Sequence, residues 1–512
     1  MPKRMIAIFA CAMAVQAASG ATMVKIDNGA LRGETNQGVS VFKGIPYAAP
    51  PVGELRWHSP RPPASWQGVR DATKFASSCA QPQRKPSDAI PWTAEYLSDP
   101  PFSEDCLYLN VWTPKLNARA NLPVVVWIHG GGFAQGSGEV PLYRGDQLAR
   151  QGVVVVSINY RLGLFGFLAH PSLDAENDGA GVFGLMDQVA ALRWVKSNIT
   201  RFGGDPSRVT AQGQSAGAIS VHHLLAAPSA EGLFSGAIAE SNSWSDTELV
   251  PKANADDLGL KLAELANAAD VKALREVPTD KLVALQTDPR LGKGARFQPA
   301  DAGGIPFREK LERSNVPVLL GSNQDEASAF SPAWMIETKE AYQRFLDERY
   351  QSQASQFSLL YPVGNDADAS AKVRELLADS STAAVVAWSE GRSEHAAPAY
   401  GYRFVHPEPG PRAARFGTFH SSEIPYVFAT LDVGNRPFTD KDRTISHVMQ
   451  AYWVNFIKTG NPNGAGLLRW PQLNTGNFML FGDRQTVTPL LEQAHRQAFR
   501  AWLRNGGSIG LF

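Results

Sequence analysis

Two runs set the pattern of the chain: Val-Val-Val-Trp-Ile at 124–128 and Val-Val-Val-Val-Ser-Ile at 153–158. Each carries apolar side chains at both odd and even positions. That predicts strands buried on both faces, as in a parallel sheet covered by helices. Upstream, short β-prone segments alternate with Gly and Pro: Val24–Ile26, Leu31–Gly33, Val39–Phe42 and Gly44–Tyr47. These predict a small antiparallel hairpin layer at a sheet edge, and Leu107–Trp112 predicts a further strand. Helical spacing appears where Leu185, Val189, Leu192, Val195 and Ile199 share one face, ending at the stop Phe202-Gly-Gly-Asp-Pro206. Strands are then expected at Val209–Gln212, Gly236–Glu240, Val316–Gly321, Ala399–Val405 and Phe478–Phe481. Ala/Leu/Lys-rich helices are expected at about 253–290, 338–357 and 367–391, placed to cap one end of the sheet. The alternation predicts one doubly wound α/β unit with insertions and a mostly parallel sheet.

Composition narrows the partners. The 512 residues are 44% hydrophobic, and Lys+Arg and Asp+Glu both number 49, with no basic run. That balance argues against a nucleic-acid partner and suits a small substrate. Lys3 and Arg4 precede the apolar run Met5–Val15 and the small residues Ala17–Ala21, the layout of a secretory leader. The expectation is a leader over 1–21, a single domain over 22–512, and a secreted or periplasmic protein. No later stretch is long and apolar enough for a membrane span. Cys11 falls in the leader, so Cys79 and Cys106 form an even pair in an oxidising compartment and are expected to bond. The loop they close holds Trp92, Tyr96 and Phe102 among Pro and polar residues, and it reads as a clamped surface loop. Asn198-Ile-Thr200 is formally a glycosylation sequon.

The chemistry centres on Gly213-Gln-Ser215-Ala-Gly217, between a short strand and a helical start. It fits the G-x-S-x-G nucleophile elbow. A serine so placed needs a base, an acid to orient that base, and donors for an oxyanion. Ile128-His-Gly-Gly-Gly-Phe133 follows directly on a buried strand, and its bare N–H groups make Gly131 and Gly132, with the Ala216 N–H, the expected oxyanion hole. In the chain order Ser–acid–His the base is one of His395, His406, His420, His447 and His495. His420 stands in a loop after a predicted strand, whereas His447 and His495 lie in helical patterns. The acid falls in Leu319–Glu326, which offers both Asp325 and Glu326.

Taken together, the chain resembles the type-B carboxylesterase family, which includes the cholinesterases. The segments that carry the likeness are Gly44–Ala48, Glu104–Asn110, Trp127–Phe133, Asn159–Gly163, Asp187-Gln188, Phe202–Pro206, Gly213–Gly217, Asp325-Glu326 and His420–Phe428. The resemblance implies an α/β-hydrolase fold with helical insertions capping the site. It also implies catalysis by Ser215, His420 and Glu326 on a small-molecule carboxylic ester, with no cofactor or metal, and a Cys79–Cys106 disulfide near the mouth of the site. Several positions depart from the cholinesterase pattern. Gln214 replaces a glutamate before the serine, Tyr96 a loop tryptophan, Arg84 an acidic residue at the mouth, and Ala329 an aromatic. These argue against choline esters and towards uncharged or anionic ones. Val182 stands where the family has Asn, with no functional meaning assigned.

Overall fold

The structure is a computed structural model that describes residues 20–176, 178–241, 249–301, 315–392 and 396–507. The leader expected over 1–21 therefore lies outside the described residues, except Gly20 and Ala21. Those two open the first strand.

Twelve strands follow one another across the main sheet: β1 Gly20–Ile26, β2 Gly29–Asn36, β3 Val39–Pro46, β4 Tyr108–Thr113, β5 Leu122–Ile128, β6 Val154–Ile158, β7 Gly204–Gln214, β8 Gly236–Glu240, β9 Val318–Asn323, β10 Ala399–Phe404, β11 Asn477–Phe481 and β12 Gln485–Pro489. Their spatial order is β1-β2-β3-β4-β6-β5-β7-β8-β9-β10-β11-β12, with Val69–Asp71 as a thirteenth strand beside β2. From β6 through β11 every pairing is parallel. The two ends are antiparallel. The hairpin layer expected at residues 24–47 is one of those edges.

The apolar runs are two-faced, as their composition requires. Val124, Val126 and Ile128 enter one core while Val125 and Trp127 enter the other; Val154 and Val156 oppose Val155 in the same way. Helices α1 Phe183–Asn198 and α2 Ala216–Ala226 cover the first face. Helix α3 Asp440–Thr459 covers the second through Ile445, Met449, Trp453 and Phe456. Its Thr439/Asp442 capping box closes the two first-turn N–H groups that would otherwise lack partners.

Buried polar pairs join the layers. Arg161, in the loop after β6, grips Asp187 of α1 with Nη2–Oδ1 at 2.7 Å and Nε–Oδ2 at 2.8 Å. The next residue, Gln188, donates to Ser220 Oγ of α2 at 2.9 Å. Asp187-Gln188 thus ties the sheet to the helix that begins at Ser215. Removing one member of such a buried ion pair typically costs about 3–5 kcal/mol, because the other charge stays buried without a partner. Asn198 is also buried: its Oδ1 accepts from the Asp27 N–H at 3.1 Å and its amide donates to the Trp194 carbonyl at 3.2 Å.

Candidate active site

Ser215 sits in the turn between β7 and α2 at φ 57° and ψ −124°. This left-handed backbone is rare for a residue with a side chain and lifts the hydroxyl above the carboxyl end of the sheet. The turn closes because its flanking glycines are bare. A Cβ on Gly213 would run into the Gly217 backbone, and one on Gly217 into the Ile128 carbonyl oxygen. The Ser215 N–H donates to the Glu240 carbonyl at 2.9 Å, anchoring the turn to β8.

Ser215 follows β7, Glu326 follows β9 and His420 lies beyond β10, so three strands of the parallel run bring the three residues to the same end of the sheet. His420 Nδ1 is 2.5 Å from Glu326 Oε2, and both residues are buried. The second Glu326 oxygen accepts from the Asn323 N–H at 2.7 Å, which fixes the carboxylate plane. Asp325, the other acid left open by the sequence, turns away: its Oδ2 accepts from the Thr418 N–H at 2.8 Å and so holds the loop that carries His420. On the far side of the ring, the Gln214 amide nitrogen lies 3.2 Å from His420 Nε2. The Glu326 carboxylate accepts from Nδ1–H, so in the neutral ring Nε2 is the acceptor nitrogen. That tautomer is ready to accept a proton.

The glycine loop faces this group. Gly131 and Gly132 have positive φ values of 111° and 63°, and neither N–H donates to another described residue. Ala216, the first residue of α2, contributes an N–H with no partner inside the helix. His129 stiffens the loop from behind by donating from Nδ1 to the Gly130 carbonyl at 2.8 Å and stacking on Tyr160 at 4.5 Å. Burial lowers its pKa to about 4. It is a neutral brace rather than a base. His406 is taken up by Asp442 and Asp483, His447 is exposed on α3, and His495 packs on Tyr361 at 4.9 Å. His395 lies outside the described residues.

Beneath Ser215, His420 and Glu326 are two buried carboxyl groups to which the sequence pattern assigned no role. Glu423 accepts from Ser241 Oγ at 2.9 Å and from the Asn323 amide at 2.5 Å. Burial, and then the charge of Glu326, raise its carboxyl pKa to about 7. Glu240 accepts from Trp453 Nε1 at 2.6 Å and from Gln212 at 3.1 Å. Burial, reinforced by Glu423, pushes its pKa well up. The one visible signal was that Glu423 lies three residues after His420.

Ser215, His420 and the glycine loop open into a cavity of about 450 Å³. The Cys79–Cys106 disulfide is present, and the loop it closes forms one wall of this cavity. That corrects the expectation of a clamped surface loop, since Trp92 and Tyr96 are each only 7% exposed. Trp92 Nε1 reaches Ser421 Oγ at 3.4 Å, and Tyr96 donates to buried Glu408 at 2.9 Å. The aromatic ring missing at Ala329 is supplied by the next residue. Phe330 meets the His420 ring edge-on at 5.1 Å and Trp92 at 5.4 Å.

A mostly parallel sheet, a strained serine elbow and a histidine–carboxylate pair at the strand ends define an α/β-hydrolase. The comparisons agree. Residues 20–499 match the model of the Carboxylesterase family. The para-nitrobenzyl esterase of Bacillus subtilis (strain 168) is 38% identical over 499 residues, covering 93% of this chain and 98% of that one. The fumonisin B1 esterase of Sphingopyxis macrogoltabida is 37% identical over 470 residues, covering 87% and 84%. A solved PNB esterase structure superposes with a TM-score of 0.77 at 34% identity, over 93% of this chain and 99% of that one. The chain belongs to the carboxylesterase family and is a carboxylic ester hydrolase. Among the described residues no helix is long and apolar enough to cross a membrane.

Proposed function

We propose that the protein hydrolyses small carboxylic esters through an acyl-enzyme on Ser215. Ser215 Oγ attacks the acyl carbon while its proton passes to His420 Nε2. The C–O bond to the alcohol then breaks, and the alcohol leaves with that proton. Water attacks the acyl-enzyme by the same route, giving its proton to Nε2 and releasing the acid. Glu326 holds the ring and answers the imidazolium charge. Gly131, Gly132 and Ala216 donate to the oxyanion, where each donor is typically worth about 3–4 kcal/mol in the transition state.

The observation that carries this reading is the 2.5 Å His420–Glu326 contact in the cavity that the strained Ser215 also lines. Choline esters are not the expected substrates, because the residue before the serine is the uncharged Gln214. The N-terminal Lys3-Arg4, the apolar run behind it and the Cys79–Cys106 bond support export to an oxidising compartment.

Ser215→Ala is expected to lower p-nitrophenyl ester turnover by about 10⁵–10⁶-fold in a folded protein. Wild type should be labelled at Ser215 by an organophosphonate probe. Retained turnover in the variant, or no labelling of wild type, overturns the assignment.

A further inference from the structure

Among the described residues, the charged side chains that line the cavity are of one sign. Arg84 and Arg296 line it, and no Asp, Glu or Lys does among the described residues; at its floor position 214 is a neutral amide. A concave, partly enclosed site of this kind concentrates the field of its cations.

Arg84 is the informative one. Elsewhere in the molecule buried arginines are answered by carboxylates: Arg56 by Glu104 at 2.6 Å, Arg161 by Asp187 at 2.7 Å and Arg436 by Glu408 at 2.9 Å. Arg84 is half-buried, stacks over the Trp92 ring at 4.8 Å, and has no ion-pair partner among the described residues. A partly desolvated charge without a counter-ion in a substrate-sized cavity is stabilised when a ligand of opposite charge pairs with it. No side-chain hydrogen bond joins the Arg84 guanidinium to another described residue, so its N–H groups can donate to a ligand carboxylate.

Its position selects one half of an ester. Arg84 stacks on Trp92, Trp92 touches Phe330 and Ser421, and Phe330 touches His420. Through these contacts the guanidinium is tied to the part of the wall that carries His420. The group that leaves with the histidine's proton is the alcohol.

We propose that Arg84 is a specificity residue and that the site prefers esters whose alcohol half carries a free carboxylate, that is, O-acylated hydroxy acids. This rests on the roles given above to Ser215, His420 and Glu326.

Three esters of one shape test it: 3-acetoxybenzoate, 3-acetoxybenzamide and (3-acetoxyphenyl)trimethylammonium. Wild type is expected to favour the benzoate over the benzamide about tenfold or more in kcat/KM, the scale of a charge-assisted pair. Arg84→Gln should erase that ratio, Arg84→Lys should keep only part of it, as a point charge without the planar fork, and Arg84→Glu should shift preference to the trimethylammonium ester. The ratio for p-nitrophenyl hydrogen succinate over p-nitrophenyl butyrate reports on the acyl half and should not follow Arg84. A wild type without the benzoate preference, or one whose preference survives Arg84→Gln and Arg84→Glu, overturns the proposal. A succinate ratio that collapses with Arg84 moves the carboxylate to the acyl half and overturns it too. Competitive inhibition of wild type by 3-hydroxybenzoate against 3-hydroxybenzamide needs no variant; equal inhibition constants count against the proposal. If Ser215→Ala hydrolyses the neutral benzamide as fast as wild type, the role given to Ser215 fails instead, and with it the ground on which the proposal stands.

Discussion

The floor and the wall of the cavity are built by opposite means. The floor rests on the ends of β7, β9 and β10, where backbone geometry and buried hydrogen bonds hold Ser215, Glu326 and His420. One wall is the loop between Cys79 and Cys106, with almost no regular structure, held by one covalent bond, aromatic contacts and side-chain hydrogen bonds such as Tyr96 to Glu408. Groups that must meet reacting atoms need the rigidity of strands and helices, while groups that choose among substrates can ride on loops. The floor should therefore govern rate for every ester, and the wall should govern which ester is taken.

The sharpest way to break that division is Glu326→Gln. The substituted amide can turn its NH₂ towards Nδ1, which favours the tautomer whose Nε2 is already protonated and cannot accept. Turnover is expected to fall about 10³–10⁴-fold, as when the acid of a comparable triad becomes an amide. The fall should be equal across an ester panel measured by kcat/KM. A change in substrate preference would place part of selectivity in the floor.

The double variant Cys79→Ser/Cys106→Ser tests the wall. The bond spans 27 positions, so its loss is expected to cost about 3 kcal/mol by the chain-entropy argument. Denaturant unfolding measures that loss. In the folded fraction, substrate preference should change more than turnover of the best neutral ester; a uniform drop in rate would show that the loop also holds the triad.

The smallest effect is expected beneath the triad. Burial raises the folded pKa of Glu423 to about 7, against about 4.3 in an unfolded chain. The folded state thus binds the proton more tightly. Its contribution to stability is complete below about pH 4 and is lost as pH rises through about 7. Glu423→Gln should flatten the decline in unfolding free energy between pH 5 and 8 by on the order of 2 kcal/mol, read from denaturant curves across that range. A decline as steep as in wild type would assign it to other groups.

The same division explains what could be read from the sequence. The floor announces itself because its constraints are steric and local: Gly213 and Gly217 are needed for close approach, and the glycine loop for bare N–H groups. His420 and Glu326 could be narrowed by chain order but not selected by it. Which acid faces the ring depends on the turn after β9, where one residue's difference sends Asp325 to the Thr418 backbone and Glu326 to the histidine. Positional comparison finds no aromatic at Ala329, yet Phe330 fills the space, because a loop can supply a ring from the next position along the chain. Trp92 and Tyr96 look like scattered aromatics in a polar loop, since burial by tertiary packing leaves no periodic trace. Helix Asp440–Thr459 is visible in the sequence only as the setting of His447, and the edge strand Gln485–Pro489 is not visible at all. Both owe their stability to neighbours far away in the chain.

Asn198 has a practical consequence for making the protein. Its side chain lies inside the fold, bonded to the Asp27 backbone and to Trp194. A host that attaches glycans to Asn-X-Thr during synthesis would modify this asparagine before it is buried. The sugar and the native packing cannot then coexist. Manufacture in such a host would yield quality-control substrate instead of enzyme, while a host without that machinery, or a chain relieved of Thr200, avoids the conflict.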